Sequence, residues 1–266
     1  MSLSLCIIED STGTQVRLFE RLNEYLLSDG SVSAATTAQR INDEKSSLAI
    51  TDPGAFCQDT WFVFQQLIEQ IPQDHPYQDR LVDVIEALTK LPSTEVKIWG
   101  ETSRMWADLP LLGPQMRDHW NPPEYNEKKA DSWPEKARKW VSLNAFAARL
   151  LNLESVTWDN FGLWTMRDIL ENEISGPELE NGIETVAVWI KYAGKLIYEA
   201  SKAIEQPEER MFQPGPLYSG PSKYCPERWV FWKDRLGIIG VQGGETANRA
   251  QETKRIMEEF EGSQVF

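Results

Sequence analysis

Histidine, cysteine and positive charge are all scarce in this 266-residue chain. His75 and His119 are its two histidines, and the three cysteines, Cys6, Cys57 and Cys225, stand far apart with no Cys-x-x-Cys pair among them. That spacing excludes a zinc-type ligand set. An odd number of dispersed thiols also fits a reducing compartment better than an oxidising one, and a cytoplasmic location is expected. Lysine and arginine total 27 against 41 aspartates and glutamates, a formal net charge of −14. A field of that sign repels phosphate backbones and anionic lipid, so neither nucleic acid nor a membrane surface is an expected partner. No run approaches the roughly 18 apolar residues that a membrane helix needs. The opening "MSLSLCIIED" lacks a basic n-region and a small-residue cleavage site, and no Asn-x-Ser/Thr acceptor occurs. Glycine-rich nucleotide loops and a Gly-x-Ser-x-Gly elbow are missing as well, so no cofactor is expected.

Strict apolar-polar alternation is nearly absent too, which removes the main signature of half-buried strands. Between the glycines and prolines the periodicity is helical, and the expected fold is all-α. It would be a single-domain bundle of about eight to ten helices over residues 1–266. "TQVRLFERLNEYLLSDG" places Val16, Phe19, Leu22 and Leu26 on one face. Asp52 caps a helix opened by Pro53, and Cys57, Trp61, Phe64 and Ile68 mark its buried row. Leu81, Ile85 and Leu88 form the apolar side of the next. Ser132 with Glu135, and Ser175 with Glu178, read as capping boxes. The second opens the longest segment, in which Leu179, Ile183, Val186, Ile190, Ala193, Ile197, Ala200 and Ile204 keep a 4-3-4-3 spacing suited to close packing in a bundle. "QPGPLYSGPSKYCP" (213–226) is an irregular loop. After it, a short helix ending at Gly237 carries Trp229, Trp232 and Leu236 on one face, and a charged, exposed helix follows over 243–262.

Two motifs suggest chemistry that their surroundings do not support. Tyr198 and Lys202 have the Tyr-x-x-x-Lys spacing of short-chain dehydrogenases, but no glycine-rich strand-to-helix turn exists to seat a dinucleotide. "NDEKS" (42–46) begins like a magnesium motif of terpene cyclases and lacks its glutamate, and no Asp-Asp-x-x-Asp box accompanies it.

What is abundant is tryptophan, eleven residues of it. Each large ring buries about 150–250 Å² and its N–H seeks a partner, so the chain builds either an aromatic core or an aromatic-walled cavity. Asn144 falls at the centre of the apolar arc of "PEKARKWVSLNAFAARLLN" and should be buried, where a lone amide must find hydrogen bonds. "RMWADLPLLGPQMRDHWN" (104–121) concentrates charge and indole. A short helix starting at Thr102 or Ser103 would break before "LPLLGP", with a further turn over 115–120. Arg104 and Arg117 can pair with Asp108 and Asp118 in an ion-paired corner beneath Trp106 and Trp120. Alternatively His119, oriented by Asp108 or Asp118, forms a proton-transfer pair, because histidine as a residue type titrates near neutrality.

At "RMWADLPLLGPQMRDHWN", "WVSLNAFAARLL" and "GPLYSGPSKYCPERWVFWKDRL" the chain resembles a fungal family catalogued as domain of unknown function 3632. The resemblance spans 104–236 and is looser over the first 100 residues. It implies a fungal, intracellular, helical protein and transfers no activity, cofactor or catalytic residue. Some relatives are encoded near secondary-metabolism genes, which favours a hydrophobic metabolite as ligand.

The functional expectation is a hydrophobic or aromatic small molecule bound in a Trp- and Tyr-lined cavity, with a cofactor-independent cyclase or isomerase as its catalytic form. Trp106, Trp120, Asn144, Tyr218, Tyr224, Trp229 and Trp232 are the candidate walls, and His119 and Asp108 the candidate proton donor and acceptor. The competing expectation is an interaction or scaffold protein whose exposed aromatics meet a partner.

Overall fold

The computed structural model of the protein describes residues 3–48, 51–203 and 209–262. Among them are ten α-helices and one two-stranded sheet, so the all-α class holds. No helix among the described residues is long and apolar enough to cross a membrane. The chain divides into two compact units, one running to Pro122 and including Leu153–Val156, the other holding the remainder.

The first unit contains α1 (Gly13–Leu27), α2 (Ala34–Ser47), α3 (Pro53–Gln70), α4 (Pro76–Thr89), strands β1 (Glu95–Ile98) and β2 (Glu101–Arg104), and α5 (Leu112–Asp118). Asp52 caps α3 as the sequence predicts, its Oδ1 accepting from the N–H groups of Gly54 at 2.8 Å and Ala55 at 3.2 Å. Phe56, Cys57, Trp61, Phe64, Leu67 and Ile68 of this helix are buried, and so are Leu81, Ile85 and Leu88 of α4. The buried face of α1 differs from the predicted stripe. Leu18, Leu22, Tyr25 and Leu26 turn inward and Val16 is exposed. Arg80 of α4 explains the choice: its guanidinium lies 4.3 Å from the Tyr25 ring centre and donates to the carbonyls of Leu26 (3.1 Å) and Ser28 (2.9 Å), closing the end of α1.

The helix expected from Thr102 or Ser103 is not there. Residues 95–104 form an antiparallel hairpin instead, paired from Glu95 with Arg104 to Ile98 with Glu101. Its two-residue turn is Trp99-Gly100, both left-handed at φ 54° and 86°. Such a turn follows strand twist but normally uses Asn-Gly or Asp-Gly, so the dipeptide carried no hairpin signal. Ile98 anchors the hairpin near Gly54 of α3, while Trp99 is 71% exposed at its tip.

The second unit contains a 3-10 turn (Glu127–Ser132), α6 (Trp133–Leu150), α7 (Asn160–Leu170), α8 (Gly176–Lys202), a second 3-10 turn (Arg210–Phe212), α9 (Pro226–Ile239) and α10 (Gly244–Gly262). The long α8 is its axis, packing on α6, α7, α9 and α10. Of the predicted seam, Ile183, Val186, Ile190, Ala193 and Ile197 are buried, Leu179 and Ala200 half-buried, and Ile204 lies outside the described residues.

Ser132 and Ser175 do precede α6 and α8, but neither caps with its side chain. Ser132 sits in helical backbone (φ −87°, ψ −10°) because the 3-10 turn runs straight into α6, and its hydroxyl donates back to the Lys129 carbonyl. Glu135 pairs with Lys139 instead of a cap, and Glu178 accepts from the Tyr125 N–H at 2.9 Å. Gly237 lies inside α9, which continues to Ile239. α10 is charged but not wholly exposed, since Ala247, Ala250, Thr253 and Met257 are buried.

Candidate functional site

The first unit holds four of the sequence-selected residues. Trp106 is 1% exposed, its Nε1 donates to Asn42 Oδ1 at 2.9 Å, and it stands edge-on to Phe56 and Trp61. Trp106, Leu109 and Leu111 have left-handed backbone, at φ 64°, 46° and 66°. For side chains of this size that conformation costs about 1–3 kcal/mol per residue. Buried anchors hold it, notably the indole N–H of Trp61 on the Pro110 carbonyl at 2.7 Å. Asp108 accepts from Arg104 through Nη2 (2.6 Å), Nε (3.0 Å) and the backbone N–H (2.7 Å). Those bonds and the guanidinium charge hold its carboxyl below the ordinary range, so it stays ionised. His119 meets the Gln115 side chain at 3.2 Å, and both His119 and Trp120 are half-buried.

The other five lie in the second unit, and the sequence missed the group that organises them. Glu171, at the end of α7, and Arg228, in the first turn of α9, form an ion pair with both side chains fully buried. Arg228 Nε and Nη2 reach the two carboxylate oxygens at 2.7 and 3.0 Å. Trp232 Nε1 and the Gly215 N–H, each at 2.7 Å, satisfy the carboxylate further. Arg228 Nη1 donates to the carbonyls of Phe212 (2.8 Å) and Lys223 (3.3 Å). Two of these bonds, from the Gly215 N–H to Glu171 and from Arg228 to the Lys223 carbonyl, tie the irregular 213–225 loop to helix ends, and the Leu217 N–H on the Glu171 carbonyl adds another. A desolvated pair survives only when its remaining donors and acceptors are met, as they are here. Tyr218 lies inside this loop with its hydroxyl 3.3 Å from Cys225 Sγ, and burial together with that thiol pushes the phenol up. Trp229 and Trp232 are core residues, the first donating to Glu261 at 2.9 Å.

Asn144 is fully buried, as expected. Its Oδ1 accepts from the Trp189 indole at 2.8 Å and the Thr165 hydroxyl at 3.0 Å, while its Nδ2 donates to the Trp140 carbonyl. One amide thereby joins α6, α7 and α8.

These two fixed points deliver Tyr224 to a small cavity. Tyr224 is 1% exposed and its hydroxyl donates to the Asp159 carbonyl at 2.8 Å. Gly162 makes this possible, because a Cβ there would stand 3.2 Å from that hydroxyl and 3.1 Å from the Trp189 ring. Leu151, Leu196, Ile197 and Ala200 complete the wall around about 170 Å³, and Asp159 also lines it. Asp159 precedes α7 yet makes no capping bond. Burial is the main reason its carboxyl is pushed up, and the charge of Glu209 adds to it.

Two larger clefts differ in kind. One of about 470 Å³ is edged by Glu180, Glu184 and Glu245, and one of about 410 Å³ by Arg17, Arg21 and Glu44. Part of their charge already finds partners, Arg249 on Glu184 and both Arg17 and Arg21 on Glu44. Ligand sites are mainly apolar with a few placed polar groups, which describes the Tyr224 socket best. Among the described residues no group of three or more His, Cys, Asp or Glu is placed to share a metal ion.

The model of a family described as "Protein of unknown function (DUF3632)" matches residues 61–236. The chain belongs to that family. The DUF3632 match starts at Trp61 within α3, well before the first block resembling it in the sequence, and stops at Leu236 within α9. It takes in every residue lining the socket and the Glu171–Arg228 pair, and leaves out α1, α2 and α10. Comparison with curated proteins and with solved structures gave no match.

Arg228 did leave a trace in the sequence: it shares a helical face with Trp232 and Leu236, and a charge inside an apolar stripe signals a buried partner. Asp159 left none. Before a helix an aspartate reads as a cap, and only the fold reveals that the capping bond is missing.

Proposed function

We propose that this DUF3632 protein binds a hydrophobic or aromatic small molecule in the socket walled by Leu151, Leu196, Ile197, Ala200 and Tyr224. The supporting observation is the cavity itself: about 170 Å³ of mostly hydrocarbon lining, comparable to the roughly 150 Å³ that holds a benzene ring in a protein core. Cofactor-independent isomerisation or cyclisation is the catalytic extension of this reading. Asp159, a residue of the socket lining whose carboxyl is raised by burial, can give and take a proton where Asp108, kept ionised by Arg104, is poorly suited. A cytoplasmic setting accords with three free cysteines, Cys57 and Cys225 among them buried as thiols. A secondary metabolite as the natural ligand accords with the sequence blocks that resemble the fungal family.

Ring-sized ligands should raise the melting temperature of the wild-type protein by a few degrees, and Ala200→Phe, which plugs the socket, should abolish the rise. An unchanged response in Ala200→Phe would overturn the assignment of the site.

A second reading, a protein-interaction role, draws on Trp99, held outward at 71% exposure by a left-handed turn. It requires Trp99→Asn to abolish partner binding while ring-sized ligands still bind the socket.

A further inference from the structure

We infer that the occupant of the Tyr224 socket is a compact hydrophobic ammonium ion, its ring or branched chain inside the cavity and its charged nitrogen against the Asp159 carboxylate. This rests on the socket being the ligand site, and it names the class of ligand.

The walls select the body of the ligand. Leu151, Leu196, Ile197 and Ala200 offer no hydrogen bond from their side chains, and the Tyr224 hydroxyl is already committed to the Asp159 carbonyl. A neutral polar ligand would therefore bury donors and acceptors without partners, which costs about 1–3 kcal/mol for each such group. The volume, about 170 Å³, admits one six-membered ring or a branched alkyl group and little more.

Asp159 selects the head. Asp159 is half-buried, and its own backbone N–H is the hydrogen-bond donor that acts on its carboxyl. Among the described residues no arginine or lysine pairs with it, in contrast to Asp108, Glu44 and Glu171. The neighbouring charge that acts on Asp159 is that of Glu209, and it is also negative. An anionic ligand meets two repulsive carboxylates, and a neutral one offers the Asp159 carboxylate at most a neutral hydrogen bond and no counter-charge. An ammonium supplies three donors and the missing charge at once, in surroundings where a charge-assisted bond is stronger than in bulk water. The overall charge of −14 adds long-range attraction for the same ligands.

Benzylamine, protonated at pH 7, and benzyl alcohol have nearly the same shape and differ in the charge of the head. Their dissociation constants, measured by calorimetry or amide chemical shifts at fixed ionic strength, separate the possibilities for the wild-type chain, Asp159→Asn and Ala200→Phe. The amine should bind the wild type about tenfold tighter than the alcohol, the ratio should fall below about twofold in Asp159→Asn, and Ala200→Phe should bind neither. Circular dichroism on each variant confirms that the helices remain. Equal affinity for amine and alcohol in the wild type overturns the ammonium inference and leaves the socket standing. A preference for the amine that survives Asp159→Asn overturns it too. Failure of both compounds to bind the wild type removes the socket reading along with it.

Discussion

The corner at 103–121 in the first unit and the loop-and-socket region at 158–228 in the second are made of the same materials: aspartate or glutamate, arginine and indole rings. They use them in opposite ways. In the corner, Asp108 and Arg104 meet near solvent, with side chains 35% and 64% exposed, and the Trp106 ring beneath them is packed core. In the second region Glu171 and Arg228 meet with no exposure at all, while Asp159, in the lining of a cavity, pairs with no arginine or lysine among the described residues. A dense run of charge and aromatics in a sequence therefore says little about reactivity. What distinguishes a structural carboxylate from an available one is whether the fold has already supplied its counter-charge.

Removing a partner from the fully buried pair gives the largest expected effect. Glu171→Gln should lower stability to denaturant by about 3–5 kcal/mol, since it strands the Arg228 guanidinium among carbonyls. Replacing both with apolar residues, Glu171→Leu with Arg228→Met, should cost clearly less than the two single changes added together, and strict additivity would show that the pair is not coupled. Asn144→Ala comes next, at about 1–3 kcal/mol, because the Trp189 and Thr165 donors lose their acceptor inside the core.

The smallest effects are the most discriminating, because their signs differ. The carboxyl of Asp108 is lowered by its arginine, so its contribution is present above the unfolded-state value and disappears as pH falls through the folded one. Asp108→Asn should lower the melting temperature at pH 7 by at most roughly 2 °C, given how weak exposed pairs are, and the difference should close in acid. Asp159 is raised, so its ionised form is a burden that grows as pH rises from the unfolded-state value through the folded one. Asp159→Asn should raise the melting temperature at pH 7 by roughly 1–2 °C, and that gain should vanish below the pH at which an unfolded aspartate protonates. Two aspartate-to-asparagine changes with the same sign at pH 7 would erase the distinction between the regions.

Much of the fold was legible because it rests on period and local chemistry. The rows of α3, α4 and α8 repeat at helical intervals, and Asp52-Pro53 is a start signal that depends only on neighbours in the chain. Where a distant group intervened, the sequence misled. Arg80 chose the face of α1, Tyr125 drew Glu178 away from its cap, and Trp99-Gly100 made a turn usually given to asparagine or aspartate. The candidate site was harder still. Tyr224 and Asn144 were visible as an aromatic beside a loop and a polar residue on an apolar arc, and both occupy positions that matter. Asp159 and Glu171 acquire their meaning only from residues dozens of positions away, such as Gly215 and Trp232 for Glu171.

Tyr224 belongs at once to the wall of the socket and to the loop fastened by Glu171 and Arg228. Filling one therefore steadies the other, and by thermodynamic reciprocity anything that loosens the loop weakens occupancy by the same factor. Protease cleavage between residues 213 and 223 should then slow as the proposed ligand fills the socket, which turns the loop itself into a reporter of occupancy.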